Sequence, residues 1–215
     1  LADLPTTVLG RPAFGVGDAA LEPVGFEPTG TFIVAGPSGS GRTTVVETVL
    51  DSVAEAVPGT RFVYFGGSRS RLAARSWNHS ALRPEDGATL ADELSQEWSA
   101  DDPGPCVVVV DGIADLLNSD ADYPLQDFLK VCRGIGALII AEGEVNDLAG
   151  SWPLLQQLKA SRRGIVLQPD QTDGDSLFRV SFPRLSRADF PVGRGLYVAA
   201  GRFERVQVAR PRVVA

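Results

Sequence analysis

The densest chemical signal in the chain is Gly36-Pro37-Ser38-Gly39-Ser40-Gly41-Arg42-Thr43-Thr44. It follows the apolar run Thr31-Phe32-Ile33-Val34-Ala35 and opens a segment of helical periodicity. A strand, a glycine-rich loop and a helix N-terminus in that order make a phosphate cradle. Backbone N–H groups converge on one spot, and the helix dipole favours an anion there. The spacing is that of G-x-x-x-x-G-K-[ST], where lysine reaches the β- and γ-phosphates of a nucleotide and the hydroxyl binds Mg2+. Here Thr43 keeps the hydroxyl, but the lysine position holds Arg42. Its guanidinium keeps the charge on a longer, planar, more weakly hydrated group. The expected ligands of residues 36–44 are ATP and Mg2+. A glycine-rich turn without nucleotide would leave the preceding strand, the spacing, Thr43 and the helix unexplained. Lysine occurs only at Lys130 and Lys159, so a general bias towards arginine is a second account of Arg42.

A second site ends the run Val107-Val108-Val109-Val110-Asp111-Gly112. Four apolar residues before an aspartate is a Walker B strand end, and Asp111 is expected to support Mg2+ through a bound water. Hydrolytic members of this class usually place Glu next, to orient the attacking water. Gly112 cannot act as a base. A third candidate is Ala141-Glu142-Gly143-Glu144. Its carboxylates read as solvated loop residues; the alternative is that Glu142 faces the nucleotide as a weak substitute for the missing base. Arg162, Arg163 and Arg194 read as surface charge or, alternatively, as arginine fingers for a neighbouring subunit. His79 is the only histidine, which excludes a His-based metal site or triad, and no CxxC, GxSxG or HExxH pattern occurs.

The elements that must position these residues alternate. Thr31–Ala35, Arg61–Phe65, Cys106–Val110, Ala137–Ala141 and Gly164–Leu167 read as buried strands. Val45, Val46, Val49, Leu50, Val53 and Val57 give a helix ended by Pro58-Gly59. Leu90, Leu94 and Trp98 give a second over about 88–99. Asp122 is expected to cap a third, with Pro124 in its first turn, and 151–160 to form a fourth. Residues 68–87 read as irregular, with arginines at 69, 71 and 75. Phe178, Val180 and Phe182 alternate with polar residues, and with 196–198 and 203–208 they predict antiparallel strands extending one sheet edge. Residues 1–30, rich in Pro and Gly, read as a β lead-in to the same domain, and 31–215 as one P-loop ATPase-like domain. The expected class is α/β: a mostly parallel central sheet flanked by helices, with antiparallel strands added near the C-terminus. Ligands then sit at the carboxyl ends of the strands, where residues 36–44, Asp111 and Glu142 all fall.

The bulk properties narrow the partners. A net charge of −7 argues against holding nucleic acid by phosphate neutralisation. No run of about 18 apolar residues is present, so direct membrane insertion of this segment is not expected. Cys106 and Cys132, both in apolar settings, read as buried reduced thiols. A chain that starts at Leu1 and lacks Met is expected to be a domain cut from a longer polypeptide.

GPSGSGRTT, VVVVDGIADLL (107–117) and the tail FPVGRGLYV…ERVQVA (190–209) resemble the FtsK/SpoIIIE superfamily of P-loop ATPases. The superfamily's VDEFADLM strand end is matched by VVDGIADLL, with Gly112 in place of Glu. The opening GVGDAALEPVGF (15–26) and the PVGRG tail are most similar to the EccC ATPases of actinobacterial type VII secretion. The resemblance implies a RecA-like fold and a chain of several ATPase domains, the later ones often with degenerate motifs. It implies a parent anchored to the membrane and working on its cytoplasmic side, with oligomers as a further assembly. Its implied substrate is a secreted helical-hairpin WXG protein that docks a C-terminal signal. Three functions stay open: a nucleotide-binding, weakly or non-hydrolysing module of a secretion ATPase; an active motor translocating DNA; and a peptide-signal interaction domain that has lost nucleotide binding.

Overall fold

The computed structural model describes residues 4–211; positions 1–3 and 212–215 of the expected lead-in and domain lie outside the described residues. The strands are β1 (Thr7–Val8), β2 (Arg11–Gly17), β3 (Pro23–Gly25), β4 (Gly30–Ala35), β5 (Arg61–Phe65), β6 (His79–Ala81), β7 (Cys106–Val110), β8 (Leu138–Gly143), β9 (Gly164–Leu167), β10 (Arg194–Ala199) and β11 (Arg202–Val208). The helices are α1 (Arg42–Ala56), α2 (Pro84–Ala100), α3 (Asp122–Gly134), α4 (Val145–Ala149), α5 (Pro153–Leu158) and α6 (Asp173–Phe178). The strands form one sheet in the order β1-β2-β11-β10-β9-β4-β8-β7-β5-β6, with β3 on β2. From β9 to β6 neighbouring strands are parallel, and from β9 outward through β10, β11 and β2 they are antiparallel. The expected α/β class with a parallel centre and added antiparallel strands is the observed one.

Period-two alternation along the central strands sorts their side chains onto two cores. Ile33, Ala35, Val63, Phe65, Val108, Val110, Ile139 and Ala141 pack under α2, α3 and α5. Phe32, Val34, Tyr64, Val107, Val109, Leu138 and Ile140 pack under α1. Each fully buried Val, Leu or Ile contributes roughly 1.5–3 kcal/mol, which is why a run such as CVVVV settles in the middle of the sheet. The N-terminal strands join the second core through an aromatic cluster. The Phe14 ring meets Phe26 at 5.8 Å, Phe32 at 5.7 Å and Tyr197 at 5.1 Å, edge to face. Both cysteines are free and buried, and burial pushes the Cys106 thiol up to about 11.

Several local expectations are corrected. The 68–87 segment contains β6 and a 3-10 turn at Arg71–Ala74, pinned to α1 by Arg71 on Glu47 and by Arg75 on Asp51 at 2.7 Å. α2 begins at Pro84, because proline suits the first helical position and Glu85 and Asp86 favour the helix N-terminus. Asp122 does not cap α3: its carboxylate accepts from the Asn118 N–H at 2.8 Å and from Gln126 Nε2 at 2.9 Å. The alternating Phe178, Val180 and Phe182 form no strand. Phe178 ends α6, Arg179 turns the chain at φ 57°, and 180–182 folds back over the first turn of that helix. Alternating burial arises there from a reversal of the chain rather than from a pleat. No described helix is long and apolar enough to cross a membrane.

Candidate functional site

The loop between β4 and α1 is shaped by glycines in backbone regions that side chains disfavour: Gly36 at φ 152°, Gly39 at 77° and Gly41 at 102°. Gly41 precedes α1 in a left-handed conformation and supplies no side-chain cap. The N–H groups of Gly39, Gly41, Arg42 and Thr43 meet no acceptor among the described residues. Ser40 is fully buried with its Oγ unpartnered. Unsatisfied donors at a helix start are the features of an anion cradle. The loop is braced from the C-terminal side, where the Gly193 N–H donates to Ser40 O at 2.9 Å and Gly193 O accepts from Val208 N at 2.8 Å. Beside it lies a groove of about 940 Å³, lined by Gly41, Thr44 and Thr48 on one side and by Val192, Gly193 and Gln207 on the other.

Strand order brings the other candidates to this loop. β8 lies between β4 and β7, so Glu142 on β8 stands between the loop and Asp111. The reading of Glu142 as a solvated loop residue is overturned: it lies inside the strand and is 5% exposed, whereas Glu144 is exposed. Its Oε1 takes Arg42 Nε at 2.6 Å, and its Oε2 accepts from the Gly112 N–H at 3.2 Å. Arg42 Nη1 also donates to Gly36 O at 2.7 Å. The loop's only cationic side chain is therefore folded back on the protein's own carboxylate and carbonyl. Burial, and then the adjacent Asp111, push the Glu142 carboxyl up to about 8, with Arg42 pulling the other way.

Asp111 is buried, and Tyr64 donates its phenolic O–H to Oδ2 at 2.7 Å. The Tyr64 phenol is held well above its ordinary pKa, first by burial and then by Asp111. This contact needs Gly66, because a Cβ there would lie 2.5 Å from the Tyr64 hydroxyl and 2.9 Å from the Asp111 Cβ. Sequence reasoning missed Tyr64. Its only signal was a polar-tipped aromatic in the strand RFVYF, aligned with Val109, one residue short of the strand end. Gly112 lies at φ 66° and opens a 3-10 turn at Ile113–Asp115. A Cβ on it would meet open space, so a side chain there is opposed by backbone conformation and not by crowding.

The three candidate finger arginines separate. Arg163 precedes β9, at the amino ends of the parallel strands and away from the loop; it bonds Thr29 O and stacks over Phe32 at 5.8 Å. Arg162 is exposed at that same end. Arg194 begins β10 on the loop's side of the sheet, its Nε 3.3 Å from Gln207 Oε1.

A nucleotide with Mg2+ fits these residues: the unpaired loop N–H groups suit phosphate, and Thr43 and Asp111 offer hard oxygen. No cluster of three or more His, Cys, Asp or Glu suited to a metal occurs among the described residues.

No protein-family model and no curated protein matches the chain. Solved structures do. ATPases 2 and 3 of Thermomonospora curvata EccC, in complex with a signal sequence peptide, superpose with a TM-score of 0.77 at 20% identity, over 95% of this chain and 41% of that one. ATPases 2 and 3 of EssC from Geobacillus thermodenitrificans give 0.73 at 21% identity, over 94% and 42%. The pCW3 conjugation coupling protein TcpA, with ATPγS, gives 0.66 at 12% identity, over 98% and 72%. The fold is that of these EccC and EssC ATPase domains, and the chain spans about two fifths of those two chains.

Proposed function

We propose that this domain is an ATP-binding, weakly or non-hydrolysing FtsK/SpoIIIE-type module of a type VII secretion ATPase. The observation that carries the reading is the pairing of Arg42 with Glu142 beside Gly112. The loop keeps its cradle, while the cation that would follow charge onto the transferring phosphoryl group is committed elsewhere, and the base position is a glycine. Residues 36–44 would hold the phosphates through Gly36, Pro37, Ser38, Gly39, Ser40, Gly41, Arg42, Thr43 and Thr44. Thr43 and, through water, Asp111 would hold Mg2+, whose role is to neutralise phosphate charge. The neighbouring groove has room for the nucleoside.

Fold likeness to EccC and EssC domains supports the assignment to secretion, and the net charge of −7 disfavours the alternative of a DNA-translocating motor. The partners we propose are neighbouring ATPase domains of the same chain, further copies in an oligomer, and a secreted helical-hairpin WXG substrate with a C-terminal signal. The proposed place of action is the cytoplasmic face of the membrane, with a role in assembly regulation or substrate recognition.

The test compares wild type with Arg42→Lys plus Gly112→Glu for nucleotide binding and ATP turnover. The reading expects wild type to bind nucleotide with little turnover and the double variant to hydrolyse faster. Equal turnover in both, with the double variant folded and still binding nucleotide, would overturn it. Binding of a secreted signal peptide without any nucleotide binding would favour the pure interaction domain.

A further inference from the structure

In a loop of this kind the residue after the last glycine directs its cation at the terminal phosphates. In this chain that cation already has a partner. Glu142 is buried on the strand between the loop and Asp111, it holds Arg42 Nε at 2.6 Å, and its second oxygen is fixed by the Gly112 N–H at 3.2 Å. The carboxylate thus occupies, with respect to Arg42, the role of a terminal phosphate oxygen. Resting on the nucleotide-binding reading above, we propose that Glu142 is a built-in substitute for the third phosphate and makes this loop select a nucleoside diphosphate over the triphosphate.

The argument is one of which contacts each ligand needs. A diphosphate can be held by the N–H groups of Gly39, Gly41, Arg42 and Thr43, which meet no acceptor among the described residues. None of these requires the Arg42 side chain to move. A triphosphate brings a further anionic group and must choose between two penalties. It can draw Arg42 away, which leaves Glu142 buried without its cation. It can leave the pair intact and place like charge beside a buried carboxylate. Gly112 contributes to the same end: its N–H steadies Glu142, and its missing side chain removes the group that would have organised water for hydrolysis.

The test is calorimetric titration of the chain with Mg2+–ADP and with Mg2+–ATPγS. Wild type is expected to bind ADP about tenfold or more tightly than ATPγS, the discrimination a like charge at close range produces. Glu142→Gln keeps the shape and an oxygen for Arg42 but removes the charge, and it is expected to narrow the ratio to below about threefold. Wild type binding ATPγS as tightly as ADP, or a ratio unchanged in Glu142→Gln, overturns the selection by Glu142 and leaves the nucleotide reading standing. Binding of neither nucleotide overturns both. A wild-type ratio below about threefold overturns the proposal even should the variant fail to fold.

Discussion

Asp111 and Glu142 lie side by side with different partners, and each partner makes a measurable claim. Tyr64 donates to Asp111 Oδ2 at 2.7 Å, while its ring stacks on Trp77 at 5.0 Å. Tyr64→Phe keeps the stack and deletes only the donor. A hydrogen bond to a charged group is worth about 1.5–3 kcal/mol, so chemical denaturation should show a loss of that order. A loss no larger in Tyr64→Ala would show that the stack, and not the hydroxyl, is irrelevant to stability. Glu142 faces Asp111, Arg42 and the Gly112 N–H, and its carboxyl is raised from 4.5 to about 8. A group whose folded pKa is raised contributes stability below its unfolded pKa and loses it as pH rises through the folded value. Relative to Glu142→Gln, wild type should therefore lose stability between about pH 4.5 and 8. Denaturant midpoints of the two proteins at pH 5 and pH 8 measure the difference, and parallel midpoints at both pH values would contradict the assigned burial.

Single elements carry their own constraints, and they explain what the sequence made legible. β9 joins β4 only because residue 164 is glycine, at φ 151°: a Cβ there would lie 2.1 Å from Ile33 O. Gly164→Ala must break that pairing or displace β4, the strand that launches the loop. The cost is expected to be on the order of 3 kcal/mol or more, seen as loss of soluble folded protein or a sharply lowered midpoint. The strand, loop and helix of residues 31–56 were readable because each is encoded within a few residues by periodicity and by glycine spacing. The buried runs at 106–110 and 164–167 were readable for the same reason. What stayed hidden depends on strand order. Arg42 and Glu142 are a hundred positions apart and meet because β8 inserts between β4 and β7, a fact no local window contains. Tyr64 reaches Asp111 across two paired strands and through the space left by Gly66. Phe178 and Phe182 misled because burial on alternate residues arises from a chain reversal as well as from a sheet edge.

At the scale of the molecule, the loop, the C-terminal strands and the groove form one bonded unit. Ser40 O accepts from Gly193, Gly193 O accepts from Val208, Thr48 Oγ1 donates to Ala209 O at 2.9 Å, and the Ala209 N–H reaches Phe14 O at 3.0 Å. A ligand that orders the loop should order this path from the cradle to β2 and to the segment after β11. Net charge sets the choice of ligand: at −7, tight salt-sensitive binding to duplex DNA is not expected even at about 50 mM salt, and a steep salt slope in such a titration would revive the DNA motor. For a nucleotide at 100 times its Kd, stabilisation is about 2.7 kcal/mol. For a domain of this size that corresponds to a rise in Tm of about 5–10 °C. Hydrogen exchange with and without 1 mM Mg2+–ADP locates the effect. Protection should grow at the amides of Gly193, Val208 and Ala209 as well as in residues 39–44. The opposite end of the sheet, around 102–106 and 135–137, serves as the internal control because it lies at the amino ends of β7 and β8. Protection confined to 39–44 would show that the C-terminal strands brace the loop without sensing its ligand, and uniform protection would reduce the effect to global stabilisation.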